Sequence, residues 1–192
     1  MSSGANNRKS RTQLVMIALV FLGPLAVAAW LYWQGGELAP SGRTNHGSLL
    51  EPIISLEAIH PDSAVSQDYD GTWLLVYPNQ AECDDGCRDA LYVSRQVRLM
   101  LGKEMDRVQR IFLHGESLPD TVFLAEEHPG LDTIQDGRLY ELLDEKRPVD
   151  IPAGGHFLID PLGNLVMYFR PDLDPADMVD DIKRLLRLSR IG

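Results

Sequence analysis

An apolar run of twenty residues at 14–33, LVMIALVFLGPLAVAAWLYW, stands near the amino terminus and requires an apolar environment. It contains no charged side chain, and its length matches the roughly 20 residues that a helix needs to cross a bilayer. Gly23 and Pro24 lie in its middle, but both residue types are tolerated in membrane helices. The run therefore predicts a transmembrane anchor, and the rest of the chain must fold outside the bilayer.

Three basic residues before the run predict its orientation. Arg8, Lys9 and Arg11 are accompanied by no acidic residue, and positively charged flanks stay in the cytoplasm. Residues 1–13 are thus predicted to be a cytoplasmic tail, and everything after the anchor is predicted to be exported. In an organism without a nucleus, this describes a single-pass protein of the inner (cytoplasmic) membrane whose carboxyl-terminal domain lies on the periplasmic side.

A cleaved signal peptide is the competing interpretation of this segment. Ala26, Val27 and Ala28 form a small-residue cleavage site, although the apolar character continues beyond it to Trp33, which favours an uncleaved anchor. The next residues, QGGELAPSGRTNHG at 34–47, are rich in glycine, proline and small polar residues and predict a linker. The remainder, 48–192, is predicted to form one exported domain.

The exported part of the chain is strongly acidic. Fifteen of the 18 lysines and arginines and all 28 aspartates and glutamates follow the tail, so this part carries a net charge of −13 with histidine neutral. Such a surface repels phosphate backbones and anionic lipid, so no nucleic-acid binding is expected. A cationic partner or a metal ion would suit the charge, and simple solubility would account for it equally well.

Strands and helices alternate in the exported part. TWLLVY has the length and apolar content of a buried strand, and RVQRIFLH is predicted to be the next strand. Between them, apolar residues recur at helical spacing over 84–103. LLEPIISLEAI contains Pro52 and predicts an edge strand, while short helices are predicted around 118–125 and in RLYELLDE. GHFLIDPLGNLVMYF predicts a hairpin, followed by a helix that Asp174 caps. This order predicts an α/β fold with a mixed sheet flanked by helices on both faces.

Cys83 and Cys87, in QAECDDGCRDALYV, are the two cysteines of the chain. Helix residues four apart lie on one face about 6 Å from each other, which permits a disulfide and equally permits two thiolates to hold one soft metal ion. A helix amino terminus favours the thiolate, whereas the neighbouring acidic side chains oppose it. The pair alone leaves a metal site, a redox couple and a weak structural disulfide all open.

The segment GTWLLVYPNQAECDDGCRDALYVSRQV, a strand leading into a Cys-x-x-x-Cys helix, is followed far downstream by HFLIDPLGNLVMYF and a last helix. Together with the single anchor, this combination resembles the Sco/SenC family over about residues 48–190. The resemblance implies a thioredoxin-like fold and a role in cytochrome c oxidase biogenesis, by binding copper or reducing cysteines for the copper centre of subunit II. Cys83 and Cys87 match the family's copper-binding and redox cysteines.

The chain departs from the family pattern around these cysteines. The family has a proline after each of them, where this chain has Asp84 and Arg88. The family's histidine ligand stands about eight residues before the aspartate of LIDP, and Pro152 occupies that position here. His156 opens the strand that a thioredoxin-like fold brings close to the cysteine helix, so it is the best substitute ligand.

The predicted metal ligands are therefore Cys83, Cys87 and His156, because two thiolates and a neutral imidazole would make a three-coordinate site suited to copper. His114, which follows the strand RVQRIFL, is a weaker candidate. The remaining histidines stand in linker or loop contexts and are predicted to be solvated: His46, His60 and His128.

Three functions remain open at this stage. The leading one is a membrane-anchored Sco-like protein that assists oxidase assembly through copper binding or thiol–disulfide exchange, with cytochrome c oxidase subunit II or other oxidase assembly proteins as partners. The second is a general thiol–disulfide oxidoreductase of the cell envelope, although such enzymes usually have Cys-x-x-Cys spacing. The third is a non-catalytic scaffold of oxidase assembly in which the disulfide is only structural.

Overall fold

The computed structural model describes residues 4–33, 45–117 and 120–189. The chain divides into two compact units, Met1–Thr44 and Asn45–Gly192. The first contains one helix, α1, at Gly4–Trp33, whose stretch Arg11–Trp30 has a mean hydropathy of 2.1 and is long and apolar enough to cross a membrane. This confirms the predicted helix, which begins earlier than expected, within the predicted tail. The predicted linker lies outside the described residues as far as residue 44.

The second unit is built on one six-stranded mixed sheet, with strands in the order β1-β6-β5-β2-β3-β4. Strands β2, β3 and β4 are parallel to one another, whereas β5, β6 and β1 continue the sheet in antiparallel pairs. In chain order the strands are β1 Ser48–Ser55, β2 Trp73–Asn79, β3 Val108–His114, β4 Leu131–Gln135, β5 His156–Ile159 and β6 Asn164–Phe169.

Helices cover both faces of the sheet, as the sequence predicts. They are α2 Leu56–Ile59, α3 Ala64–Asp68, α4 Asp85–Met100, α5 Thr121–Glu127, α6 Gly137–Lys146 and α7 Pro175–Leu188. Successive residues of a strand point to opposite faces, so β2 contributes Leu75 to the core under α4 and α7, and Leu74 and Val76 to the core under α6 and the first short helices. The α/β fold is therefore confirmed.

Several boundaries differ from the prediction. The helix predicted over 84–103 ends at Met100, and a 3-10 turn at Gly102–Arg107 continues the chain, because Gly102 adopts a positive φ of 63° that turns the backbone out of the helix. Strand β4 was not predicted, since LDTIQ is short and only partly buried. Helices α2 and α3 were not predicted either, because segments of four and five residues carry little periodicity.

The carboxyl-terminal ends of β2 and β3 position the cysteines. Asn79 and His114 are register partners at these ends, and the Gly115 amide donates to the Asn79 carbonyl at 3.1 Å. A β-carbon on Gly115 would overlap the backbone of Gln80, so only glycine allows this close approach. The loop that leads from β2 to the cysteines is thereby held against the end of β3.

Candidate functional site

Cys83 and Cys87 form a disulfide at the amino terminus of α4, with their Cα atoms 5.1 Å apart. Asp84 is the N-cap of the helix, so Cys83 lies just before the helix and Cys87 lies in its first turn. The sequence predicted a helix that begins near residue 84, with Cys83 just at its start, and the structure agrees with this. The positive end of the helix dipole is therefore directed at the sulfur pair.

The two residues that replace the family's prolines both have local structural roles. Asp84 accepts a hydrogen bond from the backbone amide of Cys87 at 2.9 Å, which satisfies one of the free amides of the first helical turn. The guanidinium of Arg88 lies 4.5 Å from the centre of the Phe123 ring, a cation–π contact that links α4 to α5. Asp84 and Arg88, which stand where the family has prolines, therefore stabilise the start of α4 and its packing against α5.

The two sulfurs differ in their access to solvent. Cys83 is half-buried, whereas Cys87 is 2% exposed and packs into a cluster with Tyr77, Leu91 and Phe112. Burial, followed by the charge of Asp84, raises the pKa of Tyr77 to about 12. The Tyr77 phenol therefore stays protonated throughout the pH range in which cysteine thiols ionise. An incoming reactant can reach Cys83 more easily than Cys87.

A cleft of about 260 Å³ opens beside Cys83. Its walls come from the loop before α4, the start of α4, the end of β3 and the start of α5. The lining residues include Cys83 and His114 but not His156; the others that bear on the chemistry are Glu82, Arg88, Asp120 and Phe123. The structure thus brings the weaker histidine candidate to the cleft and places the stronger one elsewhere.

His114 is held rigidly at the end of β3. It is 8% exposed, its ring centre lies 5.9 Å from that of Phe112, and its Nδ1 lies 2.7 Å from the carbonyl oxygen of Gly115. A carbonyl oxygen only accepts, so Nδ1 carries the proton and the neutral ring keeps its lone pair on Nε2. Nε2 has no hydrogen-bond partner among residues 4–33, 45–117 and 120–189.

His156 reaches the cysteine helix, as predicted, but contacts it behind the cleft. Its Nε2 donates to the carbonyl oxygen of Ala90 at 3.1 Å, its ring centre is 5.3 Å from that of Tyr77, and its buried Nδ1 has no partner among the described residues. Within that part of the chain, no group of three or more His, Cys, Asp or Glu side chains is placed to hold a metal ion. Metal binding by His156 stays a prediction.

Burial lowers the pKa of His156 to about 4, against an ordinary value of 6.5. Below pH 6.5 the unfolded chain takes up a proton at this residue, whereas the folded chain does so only near pH 4. His156 therefore supports full stability above pH 6.5, and this support is lost as the pH falls from 6.5 to 4. We expect a loss on the order of 3 kcal/mol in the free energy of unfolding over this range, measurable by urea unfolding at pH 7 and pH 4.5.

The variant His156→Gln should flatten this pH dependence without removing all of it. The pKa of His128 is also lowered by burial and by Arg110, so it contributes a slope of the same sign. Val122→Ala is the control, because Val122 is exposed and this change removes no titrating group, so the slope should stay unchanged. An equal slope in the wild type and in His156→Gln would show that His156 is protonated normally in the folded chain.

Two of the histidines predicted to be solvated are buried, so that prediction was wrong for them. His60 is 8% exposed because its Nε2 pairs with Asp136 at 2.9 Å, and His128 is 3% exposed because it ends α5 and packs edge-on against Phe123. A position in a loop does not predict exposure when another side chain covers the imidazole, as the Asp136 carboxylate covers His60 and the Phe123 ring covers His128. His46 is exposed, as predicted.

The close packing of Gly155, just before β5, was not predicted from the sequence. Gly155 donates its amide to Tyr168 Oη at 3.0 Å, and Tyr168 Oη in turn donates to the carbonyl oxygen of Pro152 at 2.7 Å. Pro152, which stands where the family has its histidine, is therefore tied to β6 through its backbone. The two consecutive glycines before His156 were the available sequence signal for this close packing.

Comparisons with known proteins agree with this fold. Residues 73–189 match the model of the family described as "Transmembrane-like, thioredoxin-like, C-terminal domain". No curated protein sequence matches the chain.

Solved structures of Sco proteins share the architecture. The alignment with yeast Sco1 with copper bound covers 64% of this chain and 83% of that chain, with a TM-score of 0.52 and 19% identity. The alignment with Arabidopsis thaliana ScoI with copper bound covers 64% and 89%, with a TM-score of 0.50 and 18% identity. The alignment with apo Sco1 from Thermus thermophilus covers 63% and 83%, with a TM-score of 0.50 and 19% identity.

These likenesses confirm the resemblance to Sco proteins at the level of the fold. The matched segment 73–189 includes the sheet from β2 onward, the cysteine helix and the final helix. The chain therefore belongs to the transmembrane-like, thioredoxin-like, C-terminal domain family.

Proposed function

We propose that this protein is a membrane-anchored thiol–disulfide exchange protein of the Sco-like type, which acts on cysteines of an exported partner through Cys83 and Cys87. The observation that carries the proposal is the placement of the disulfide at the amino terminus of α4, with one sulfur at a cleft and the other buried. A purely structural bridge between residues four apart would remove little chain entropy and would not need a cleft beside it.

The difference in burial assigns a role to each sulfur. A partner thiolate attacks Cys83, the bond to Cys87 breaks, and the electron pair leaves on Cys87, where the positive end of the α4 dipole stabilises it. The second partner thiol then attacks the mixed disulfide, which yields an oxidised partner and a reduced Cys83–Cys87 pair. The same steps run in reverse when the reduced pair meets an oxidised partner.

Cytochrome c oxidase subunit II is the partner that the Sco-like fold favours, because its copper centre contains a cysteine pair that must be reduced before metal loading. The location follows from the same proposal. With the tail of Arg8, Lys9 and Arg11 in the cytoplasm, the domain lies on the periplasmic side of the inner membrane, where disulfides persist.

Copper binding by the reduced pair is the second candidate function, and His156 favours it. A copper ligand must be a neutral imidazole with a free nitrogen; burial keeps His156 neutral and leaves its Nδ1 without a partner among the described residues. The reduced sulfurs of Cys83 and Cys87 would supply the soft donors. Such copper would be cargo for delivery to the partner.

One experiment tests both candidates in the full chain held in detergent micelles. In one arm, the reduced protein is titrated with Cu(I) against a competing chelator; in the other, the reduced protein is mixed with an oxidised peptide carrying the paired cysteines of subunit II. We expect reduction of the peptide with formation of the Cys83–Cys87 disulfide, measured by alkylation and mass spectrometry. The double variant Cys83→Ser/Cys87→Ser should be inactive in both arms.

A second peptide with unrelated sequence and the same cysteine spacing is the control for specificity. Equal rates with both peptides would favour the general envelope oxidoreductase over the oxidase assembly protein. If the reduced wild-type protein opens the disulfide of neither peptide and binds no Cu(I), the scaffold interpretation remains and the proposal is overturned.

A further inference from the structure

The cleft beside Cys83 places an imidazole within reach of a sulfur that enters it. Cys83 and His114 both line this cleft of about 260 Å³, a space that admits one side chain of a partner. The Nδ1–H of His114 is committed to the Gly115 carbonyl at 2.7 Å, which leaves the basic Nε2 as the nitrogen without a partner in the described part of the chain.

The other charged groups at the cleft already have partners or are poor acceptors for the proton of a thiol. Arg88 lies over the ring of Phe123, and Asp120 accepts from the backbone amides of Val122 and Phe123 as the N-cap of α5. Glu82 is exposed at the rim, and a carboxylate is a weaker base toward a thiol than an imidazole is. Glu116 follows β3 and is exposed. His114 is thus the best placed proton acceptor among these groups.

We infer that His114 is the acid–base group of the exchange reaction and acts on the partner's sulfur. This inference rests on the proposed function. It differs from the sequence analysis, which considered His114 only as a weaker metal ligand. The substrate class is a cysteine thiol on a flexible or exposed segment of the partner, presented so that its sulfur passes between Cys83 and His114.

The step balances without any further reagent. The partner's thiol gives its proton to His114 Nε2, and the resulting thiolate attacks the Cys83 sulfur; a partner–Cys83 bond forms, and the Cys83–Cys87 bond breaks with its electron pair on Cys87. The partner's second thiol gives its proton to the Cys87 thiolate and its sulfur displaces Cys83, and the Cys83 thiolate takes the first proton back from His114. The partner is oxidised by two electrons and the Cys83–Cys87 pair is reduced by two.

The size of the effect follows from the ionisation of an ordinary thiol. With a pKa near 8.5, about 3% of a thiol is ionised at pH 7, so a base that completes its deprotonation in the cleft accelerates attack by up to about 30-fold. The advantage disappears above about pH 9.5, where the thiol is already ionised. A base changes the rates in both directions and leaves the equilibrium reduction potential unchanged.

The test measures the opening of the disulfide in the oxidised full chain, in detergent micelles, by a short peptide that carries one cysteine and blocked ends, from pH 6 to pH 10. We expect His114→Gln to react about 30-fold more slowly than the wild type at pH 7 and equally fast above pH 9.5. The variant's reduction potential against glutathione should equal that of the wild type. His46→Gln, a substitution of an exposed histidine, should match the wild type throughout.

A second variant separates chemistry from folding. His114→Ala should lose the same rate at pH 7 and regain part of it when free imidazole is added, which a damaged fold would not do. Equal rates for the wild type and both His114 variants at pH 7 would overturn the inference while leaving the proposed function standing. If the wild-type disulfide opens no faster than that of the urea-unfolded chain, the proposed function fails as well.

Discussion

Replacing Cys87 with serine is expected to trap a stable mixed disulfide between Cys83 and a partner peptide, and replacing Cys83 is expected to abolish reaction. The physical reason is the difference in access: Cys83 lines the cleft, whereas Cys87 is 2% exposed beneath it. The attacking thiolate of the protein needs an in-line path to the electrophilic sulfur of the peptide disulfide, and the fold offers that path to Cys83 but not to Cys87. We expect the two variants to differ in rate by about 1000-fold, because thiol reactivity depends on access as well as ionisation.

The measurement uses an oxidised peptide with the paired cysteines of subunit II, mixed with each single-cysteine variant of the full chain in detergent micelles. Non-reducing gel electrophoresis and mass spectrometry then report the mixed disulfide over time. In concentrated urea the two variants should react at the same rate, since unfolding exposes both sulfurs equally. Comparable native rates would mean that the sulfur at the cleft has no advantage, and the assignment of roles would be wrong.

Much of the fold was predictable because apolar runs, helical spacing and turn residues are visible within short stretches of the sequence. Strand β2 begins with a continuous apolar run at 73–77, and β3 contains a shorter one at 111–113. Helices α4 and α7 carry apolar residues at helical spacing, and the β5–β6 hairpin has a turn with glycine, asparagine and proline. Strand β4 was missed because it is held by its ladder to β3 and not by its own composition. A strand at the sheet edge that packs only partly leaves a weak pattern in the sequence.

The site was predictable only in part, for a different reason. The spacing of Cys83 and Cys87 indicated a pair, but the choice between His114 and His156 depended on which ring reaches the cleft. Strand order brings both histidines near the cysteine helix; side-chain direction then sends His156 to the Ala90 carbonyl and His114 to the cleft. No periodicity in the sequence reports that direction, because it is decided by the packing of β3 and β5 against different parts of α4 and α5.

Replacing Gly155 with alanine is expected to cost about 3 kcal/mol or more of the free energy of unfolding, a large part of the 5–15 kcal/mol that holds a typical domain together. A β-carbon at this position would overlap the carbonyl oxygen of Phe169 and lie 2.7 Å from Tyr168 Oη. The nearest obstacle is the backbone at the end of β6, so no side-chain rotation can relieve it. The same shift would break the hydrogen bond from the Gly155 amide to Tyr168 and move His156 away from α4.

Gly137→Ala is the matched control, because a β-carbon there meets no atom within 4 Å and the residue opens α6. Alanine is the better helix former, so this change should leave stability equal or slightly higher. Urea unfolding of the full chain, followed by near-ultraviolet circular dichroism, measures both variants. If Gly155→Ala unfolds at the same urea concentration as Gly137→Ala, then β5 and β6 can move apart at Gly155 without loss of stability. The close contact between Gly155 and Phe169 would then not be what holds His156 against α4.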